Sequence, residues 1–244
     1  GGGWQGKDAS LHNATRVDAD ASVAVNARAS GKGNGGEVVF WSDDSTSFAG
    51  NIDIRGGAQG GDGGRAEVSG KQTLDYSGRT NALAAKGATG DLLLDPTTVT
   101  VRAGGTGTGA IDGATVYVAD LEAQHANVML QADSGMTIAD LSIGGDGHLT
   151  MANNVSLRLE NKAGNIVFDN ADNTIEVSGT GSIYMQSGQT GTGELRNVAN
   201  LVVNGSGTNP ATLPTHNVST PGNGTPAAVS ITLYGADGIT VGGA

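Results

Sequence analysis

The sequence predicts an all-β chain folded as a right-handed parallel β-helix, a single elongated solenoid. Three observations lead there. Short apolar-x-apolar triplets recur along the 244 residues. Gly, Asn and Asp separate them, the residue types that supply corners with positive φ. Aromatics make up only 4% of the chain, so the interior must be filled by Val, Ile, Leu, Ala and a few Met, which suit a narrow stacked core. Alternation with a period of two marks strands buried on one side, and strands at a steady step mark stacked repeats.

The N-terminal part carries a glycine-rich repeat. Gly33-Asn34-Gly35-Gly36-Glu37-Val38-Val39-Phe40 resembles Gly61-Asp62-Gly63-Gly64-Arg65-Ala66-Glu67-Val68, and Gly87 to Leu94 is a looser third copy. Alternating runs lie between them: Val23-Ala24-Val25, Ile52-Asp53-Ile54, Leu74-Asp75-Tyr76 and Val99-Thr100-Val101. Further on, the triplets sort into two interleaved series. One runs through Val116–Val118, Met136–Ile138, Leu157–Leu159 and Ile175–Val177; the other through Val128–Leu130, Leu149–Met151, Ile166–Phe168, Ile183–Met185 and Leu201–Val203. Taking each step as one rung, roughly 10–12 rungs at about 4.8 Å give a rod on the order of 50–60 Å long. Only Asp120 to His125 offers a helical turn. Residues 1–101 therefore form rungs with glycine-rich repeats, and residues 102–244 continue them. Four of the five prolines fall at about 204–228. Proline cannot donate to a ladder, so this stretch is expected as an extruded loop.

The net charge of −11 and the lack of a basic stripe argue against nucleic acid, whose binding relies on Lys and Arg releasing counterions. They argue equally against an anionic membrane surface. No cysteine is present, which excludes disulfides, CxxC redox chemistry and Cys-based zinc sites. No apolar run is long enough to cross a bilayer as a helix. The opening Gly1-Gly2-Gly3-Trp4 does not resemble a natural start, so an internal piece of a longer chain or a processed product is expected.

Several phrases occur together in a recognisable order: Gly3-Trp4-Gln5-Gly6, Asn13-Ala14, Gly35 to Asp43, Phe48-Ala49-Gly50-Asn51-Ile52, Gly60 to Gly64, Glu67-Val68-Ser69-Gly70-Lys71 and Leu92-Leu93-Leu94-Asp95-Pro96. Residues 1–101 thereby resemble the two-partner secretion exoproteins, the filamentous-haemagglutinin-like large adhesins. The resemblance implies a β-helix exported through a dedicated outer-membrane pore partner to the bacterial cell surface or medium. It also implies adhesive, biofilm-matrix or filament-building roles towards glycans, host or neighbour-cell surface proteins, or other copies of the chain. The family's Asn-Pro-Asn-Gly type secretion motifs are not in this sequence, so no functional residue carries over.

Motifs with enzymatic meaning fail on context. Gly31 to Gly36 fits G-x-G-x-x-G, but a strand follows it where a dinucleotide site needs a helix. Gly64 to Lys71 misses the P-loop spacing, and Gln72 replaces the Ser or Thr that holds magnesium. Gly60 to Gly64 and Gly144 to His148 are isolated copies of a calcium-type turn that works only in tandem. His12, His125, His148 and His216 are not spaced as metal ligands, and no G-x-S-x-G elbow occurs. No catalytic residue, metal or cofactor is expected. The alternative is a polysaccharide-processing enzyme, a lyase or glycoside hydrolase, with carboxylates gathered on one face of the β-helix.

Two surface features complete the reading. The middle residues of the second triplet series, Met129, Thr150, Val167, Tyr184 and Val202, are mostly apolar and point outward by alternation. They are expected to form one candidate interface stripe, covered either by the 204–228 loop folding back, the favoured case, or by a partner. Asn204, Asn217 and Asn223 head glycosylation sequons in the proline-rich stretch.

Overall fold

The computed structural model describes residues 3–105, 114–190, 192–205, 210–211, 218–221, 231–235 and 238–241. The chain is a parallel β-solenoid of about six turns, and a regular turn holds three short strands, one on each of three faces. The first face stacks residues 37–42 of the strand Glu37–Phe48, then Arg65–Gly70, Asp91–Leu94, Asn127–Ala132, Leu157–Asn161, Ile183–Ser187 and Ile231–Gly235. The second stacks Ala14–Ala19, residues 45–48, Thr73–Tyr76, Ala114–Tyr117, Thr98–Arg102, Gly135–Ile138, Ile166–Phe168, Glu194–Val198 and Gly238–Val241. The third holds Ala24–Asn26, Asn51–Asp53 and Arg79–Asn81 in one sheet, and His148–Thr150, Thr174–Gly179, Asn200–Gly205 and Val218–Pro221 in another.

Equal registers line up like with like. Val38, Ala66, Leu92, Val128, Leu157 and Ile183 form one inward column of the first face. Val99, Met136, Ile166 and Leu195 form one on the second, and Leu149, Ile175 and Leu201 one on the third. All are buried. Each Leu, Ile or Val so placed contributes about 1.5–3 kcal/mol of apolar burial, and this drives the stacking. Aromatics join where the second face begins, with Phe48 and Tyr76 stacked at 6.0 Å between ring centroids.

Three strands per turn correct the sequence-based rung count. Hydrogen-bonded equivalents in adjacent turns lie 26–29 residues apart. Apart from the step from Val116–Val118 to Met136–Ile138, which stays on the second face, the step between triplets of one series is two strands, or two-thirds of a turn. Each series therefore walks around all three faces, and the stack has about six turns, its six to eight strand steps spanning on the order of 30–40 Å. The strand Thr98–Arg102 spans the boundary at residue 101, and one buried core runs through both regions.

The glycine repeat has a steric cause. Gly36, Gly64 and Gly90 each turn the chain from the third face into the first, donating N–H to Ala27, Ile54 and Ala82 carbonyls at 2.7, 2.7 and 2.8 Å. A Cβ on the neighbouring Gly35 or Gly63 would overlap the carbonyl of Ile54 or Ala82. Before these corners the chain makes long loops at residues 27–36, 55–64 and 83–90. They stack as a three-layered fin, with Asn34 Oδ1 accepting Asp62 N–H at 2.9 Å and Asp62 Oδ1 accepting Ala88 N–H at 2.8 Å.

One turn departs from the pattern. Ala114–Tyr117 inserts between Thr73–Tyr76 and Thr98–Arg102 on the second face. The short helix Val118–Glu122 follows, where other turns carry a third-face strand. Only the bridge from Asn81 to His125 continues the ladder there. The fully buried Gln124 stands in for the missing strand. Its Nε2 donates to Gly78 and Asp120 carbonyls at 2.9 and 2.6 Å, and its Oε1 accepts Thr80 N–H and Tyr76 O–H at 2.8 and 3.1 Å.

The expected loop at 204–228 is corrected in part. Val218–Pro221 returns to the third face, parallel to Asn200–Gly205. Pro210–Ala211 pairs with it antiparallel at the sheet edge, a place that tolerates proline because no ladder partner needs its N–H.

Candidate functional site

The outward side of the first face carries a buried polar network. Register places Trp41, Ser69 and, in later turns, Gln131, Glu160 and Gln186 at equivalent outward positions, with Glu67 one row nearer the strand start. Outward side chains of a solenoid normally meet water. Here residues 3–13 turn back from the end of the stack and lie across them. The Arg65 guanidinium sits 4.7 Å from the Trp4 ring centroid, and Gly6 presses on the Trp41 indole. Gln5 N–H donates to Glu67 Oε2 at 2.6 Å, and Gln5 Nε2 to Gln131 Oε1 at 3.0 Å. Gln131 Nε2 donates to Glu160 Oε2 at 2.9 Å, and Arg158 pairs with the other oxygen of Glu160. Glu67 is 0% exposed and Glu160 2%.

Next to this network, where the first face bends into the second, is a depression of about 280 Å³ lined by Lys7, Trp41, Lys71, Asp95, Asp133 and Lys162, among others. Lys162 Nζ lies 2.6 Å from Asp133 Oδ1 and 3.5 Å from Asp95 Oδ2, joining three successive turns. Asp95 is 6% exposed. Burial pushes its carboxyl up to about 6, against the pull of Lys162. Burial likewise raises Glu67, against the Gln5 N–H that favours its charged form. Burial opposes the charge on Lys162, but Asp133 and Asp95 outweigh it and raise its pKa. A carboxyl that titrates near neutrality beside an ammonium can transfer protons. The same arrangement can also serve only to stitch neighbouring turns together.

The expected apolar stripe is not one patch. Met129 and Tyr184 belong to the first face and flank Arg158, whose guanidinium lies 4.3 Å from the Tyr184 ring centroid. Val167 is on the second face between Thr137 and Arg196. Thr150 and Val202 are on the third, separated by Glu176. The two-thirds-turn step separates them. Alternation does point these residues outward: Thr150 is exposed and the other four are half-buried.

Asn204 lies within the strand Asn200–Gly205, in register with Ser178, not in a loop; Asn217 and Asn223 lie outside the described residues. Both isolated calcium-type turns use their carboxylates internally, Asp62 on Ala88 N–H and Asp146 on His148 N–H. Among the described residues no group of three His, Cys, Asp or Glu side chains is arranged to hold a metal ion.

Sequence reasoning missed Gln5, Glu67, Asp95, Gln131, Asp133, Glu160 and Lys162. Arg65-Ala66-Glu67, Met129-Leu130-Gln131 and Arg158-Leu159-Glu160 each place a polar side chain outward on a first-face strand, but that pattern is the same for a wet surface and a buried seam. No model of a known protein family matches this chain, and no curated protein matches it at a significant level.

Proposed function

We propose that the chain is a structural and adhesive segment of a large secreted bacterial surface protein, and not an enzyme. The observation that carries this reading is how the buried carboxylates on the outer side of the first face and at its bend are used. Glu67 is held by Gln5, Glu160 by Gln131 and Arg158, and Asp95 by Lys162. Each bond joins one turn to another or anchors the N-terminal segment across several turns, except the Arg158–Glu160 pair within one strand. Charges spent in this way stiffen a rod. The ordered motifs of residues 1–101 support the filamentous-haemagglutinin-like kind, and with it export through an outer-membrane pore partner and display outside the cell. On this reading the partners are glycans, surface proteins of host or neighbouring cells, and further copies of the chain. The test is retention: beads coated with the purified chain are expected to stay on cells under flow, and beads carrying the heat-unfolded chain to wash off. Equal wash-off of both refutes the adhesive role.

One observation favours a second reading, a polysaccharide-processing enzyme. Asp95, Asp133 and Lys162 line one depression together with Trp41. Incubation with acidic and neutral polysaccharides distinguishes the two readings. Depolymerisation by the parent chain that Asp95→Asn abolishes would replace the adhesive reading; intact polymer supports it.

A further inference from the structure

The fin of stacked loops ends abruptly. Residues 27–36, 55–64 and 83–90 form three layers, and the following corners are short: Ala126 and Val155 are buried directly before Asn127 and Ser156. The last layer of the fin therefore stands as a wall above a step. Two depressions of about 320 and 550 Å³ occupy this step and share Asn127 and Ser156. Together they run across the turns that begin the first-face strands Asn127–Ala132, Leu157–Asn161 and Ile183–Ser187.

We propose that this step is a binding groove for a neutral oligosaccharide. The proposal deepens the adhesive reading and rests on it. The floor is a ladder of amides and hydroxyls held in place by backbone bonds. Asn127 Oδ1 accepts Ser156 N–H at 3.0 Å, and Asn127 Nδ2 donates to Thr89 O at 2.9 Å. The Ser156 hydroxyl oxygen accepts from both Ser182 N–H and Ser182 O–H, at 3.0 and 3.2 Å. Its own proton is thus left to donate into the groove. Asn154 Oδ1 accepts Thr180 N–H at 3.1 Å, leaving the Asn154 NH₂ group as a donor. At the rim, Tyr184 is fixed in one orientation. Arg158 packs on its ring, and its hydroxyl donates to Gln186 at 2.5 Å.

Donors and acceptors repeating at the rung spacing of about 4.8 Å suit a chain of hydroxyl-bearing rings, and an oriented aromatic suits their C–H faces. The charged groups of the lining, Asp91 and Arg158, are of opposite sign, and Arg158 is already paired with Glu160. The groove therefore presents no single-sign field for an acidic ligand.

The test uses the whole chain. Soluble β-glucan, mannan, galactan and chitin oligosaccharides are titrated in, with the side-chain amide NMR signals of Asn127 and Asn154 and calorimetry as readouts. At least one oligosaccharide is expected to bind, to shift both amides, and to bind equally at low and high salt. Ala88→Trp fills the groove from an exposed wall position, and Tyr184→Ala removes the aromatic. Each is expected to weaken binding about tenfold or more, with the circular dichroism spectrum of the parent retained. Silence of both amides with every oligosaccharide overturns the proposal. So does binding that Ala88→Trp leaves untouched, or binding that salt abolishes. The bead assay reads the adhesive role separately. Ala88→Trp beads that adhere as well as the parent remove the groove and leave adhesion standing; sugar binding without bead retention does the reverse.

Discussion

The first face has two corners, and they solve different problems. Where it bends into the second face, the outward side chains are charged, partly buried and roofed by residues 3–13. Where the chain enters it from the third face, the first turns use glycine and the later turns use Asn127, Ser156 and Ser182, with an open groove beside them. The inward columns run unchanged behind both corners. A solenoid thus fixes its fold from the inside with a repeating apolar row. Its outer corners remain free to become either a seam between turns or a surface that meets other molecules.

The sharpest break of this comparison is at a glycine corner. A Cβ at Gly63 would overlap the Ala82 carbonyl and the Gly90 amide, and both belong to backbone that cannot move alone. Gly63→Ala is expected to cost about 4 kcal/mol or more, seen as a large fall in the midpoint of thermal unfolding. An unchanged midpoint would mean that the glycine corners are not closely packed.

The seam corner should reveal itself through pH. Asp95 is raised to about 6 by burial, so the folded state holds its proton more tightly than the unfolded chain, where the carboxyl titrates near 4. Stability is then greatest below pH 4 and declines as pH rises from about 4 to about 6, by about 3 kcal/mol for this group. The exposed Asp8, Asp18, Asp20 and Asp140 have lowered values, and they act below that window with opposite sign. Burial raises Asp120 to about 6 as well and also raises Glu67, so both add to the decline with the same sign. Asp95→Asn cannot ionise and should remove its own share, leaving a shallower slope between pH 4 and 6 in denaturant titrations. The same slope in both proteins would remove Asp95 as its cause.

The roof over the seam gives a smaller effect. Glu67→Ala leaves the Gln5 N–H without its acceptor and is expected to cost about 1–3 kcal/mol. The loss should be local, with faster trypsin cleavage after Lys7 and little change in the cooperativity of global unfolding. Glu67→Gln keeps an acceptor, removes the buried charge, and should preserve the resistance of the parent.

How much of this was legible in the sequence follows from distance along the chain. The inward columns were readable because alternation is local: Val128, Leu130 and Ala132 declare a strand without reference to anything else. The third-face strands were visible as triplets, Ile52–Ile54 and Leu149–Met151 among them. But nothing local marks which face a triplet occupies, so two interleaved series stood for three faces and the two-thirds-turn step passed for a whole rung. That error alone assembled Met129, Thr150, Val167, Tyr184 and Val202 into a stripe. The seam was not legible, because Gln5 meets Glu67 and Gln131 across 62 and 126 residues. Only the lateral stacking of turns brings them together.

The smallest expected effect is at the open corner, and it bears most directly on the contrast between the two. Ser156 accepts two bonds from Ser182, and it is half-buried beside solvent. Ser156→Ala removes the acceptor, but water in the groove can reach Ser182, so the cost should be about 1 kcal/mol or less. Had this corner been a seam like the other, the same substitution would strand a buried N–H and cost at least twice that. Unfolding midpoints of Ser156→Ala and Glu67→Ala measured side by side therefore rank the two corners. A larger loss for Ser156→Ala would mean that the serine ladder is structural support, and that the groove is not free to bind.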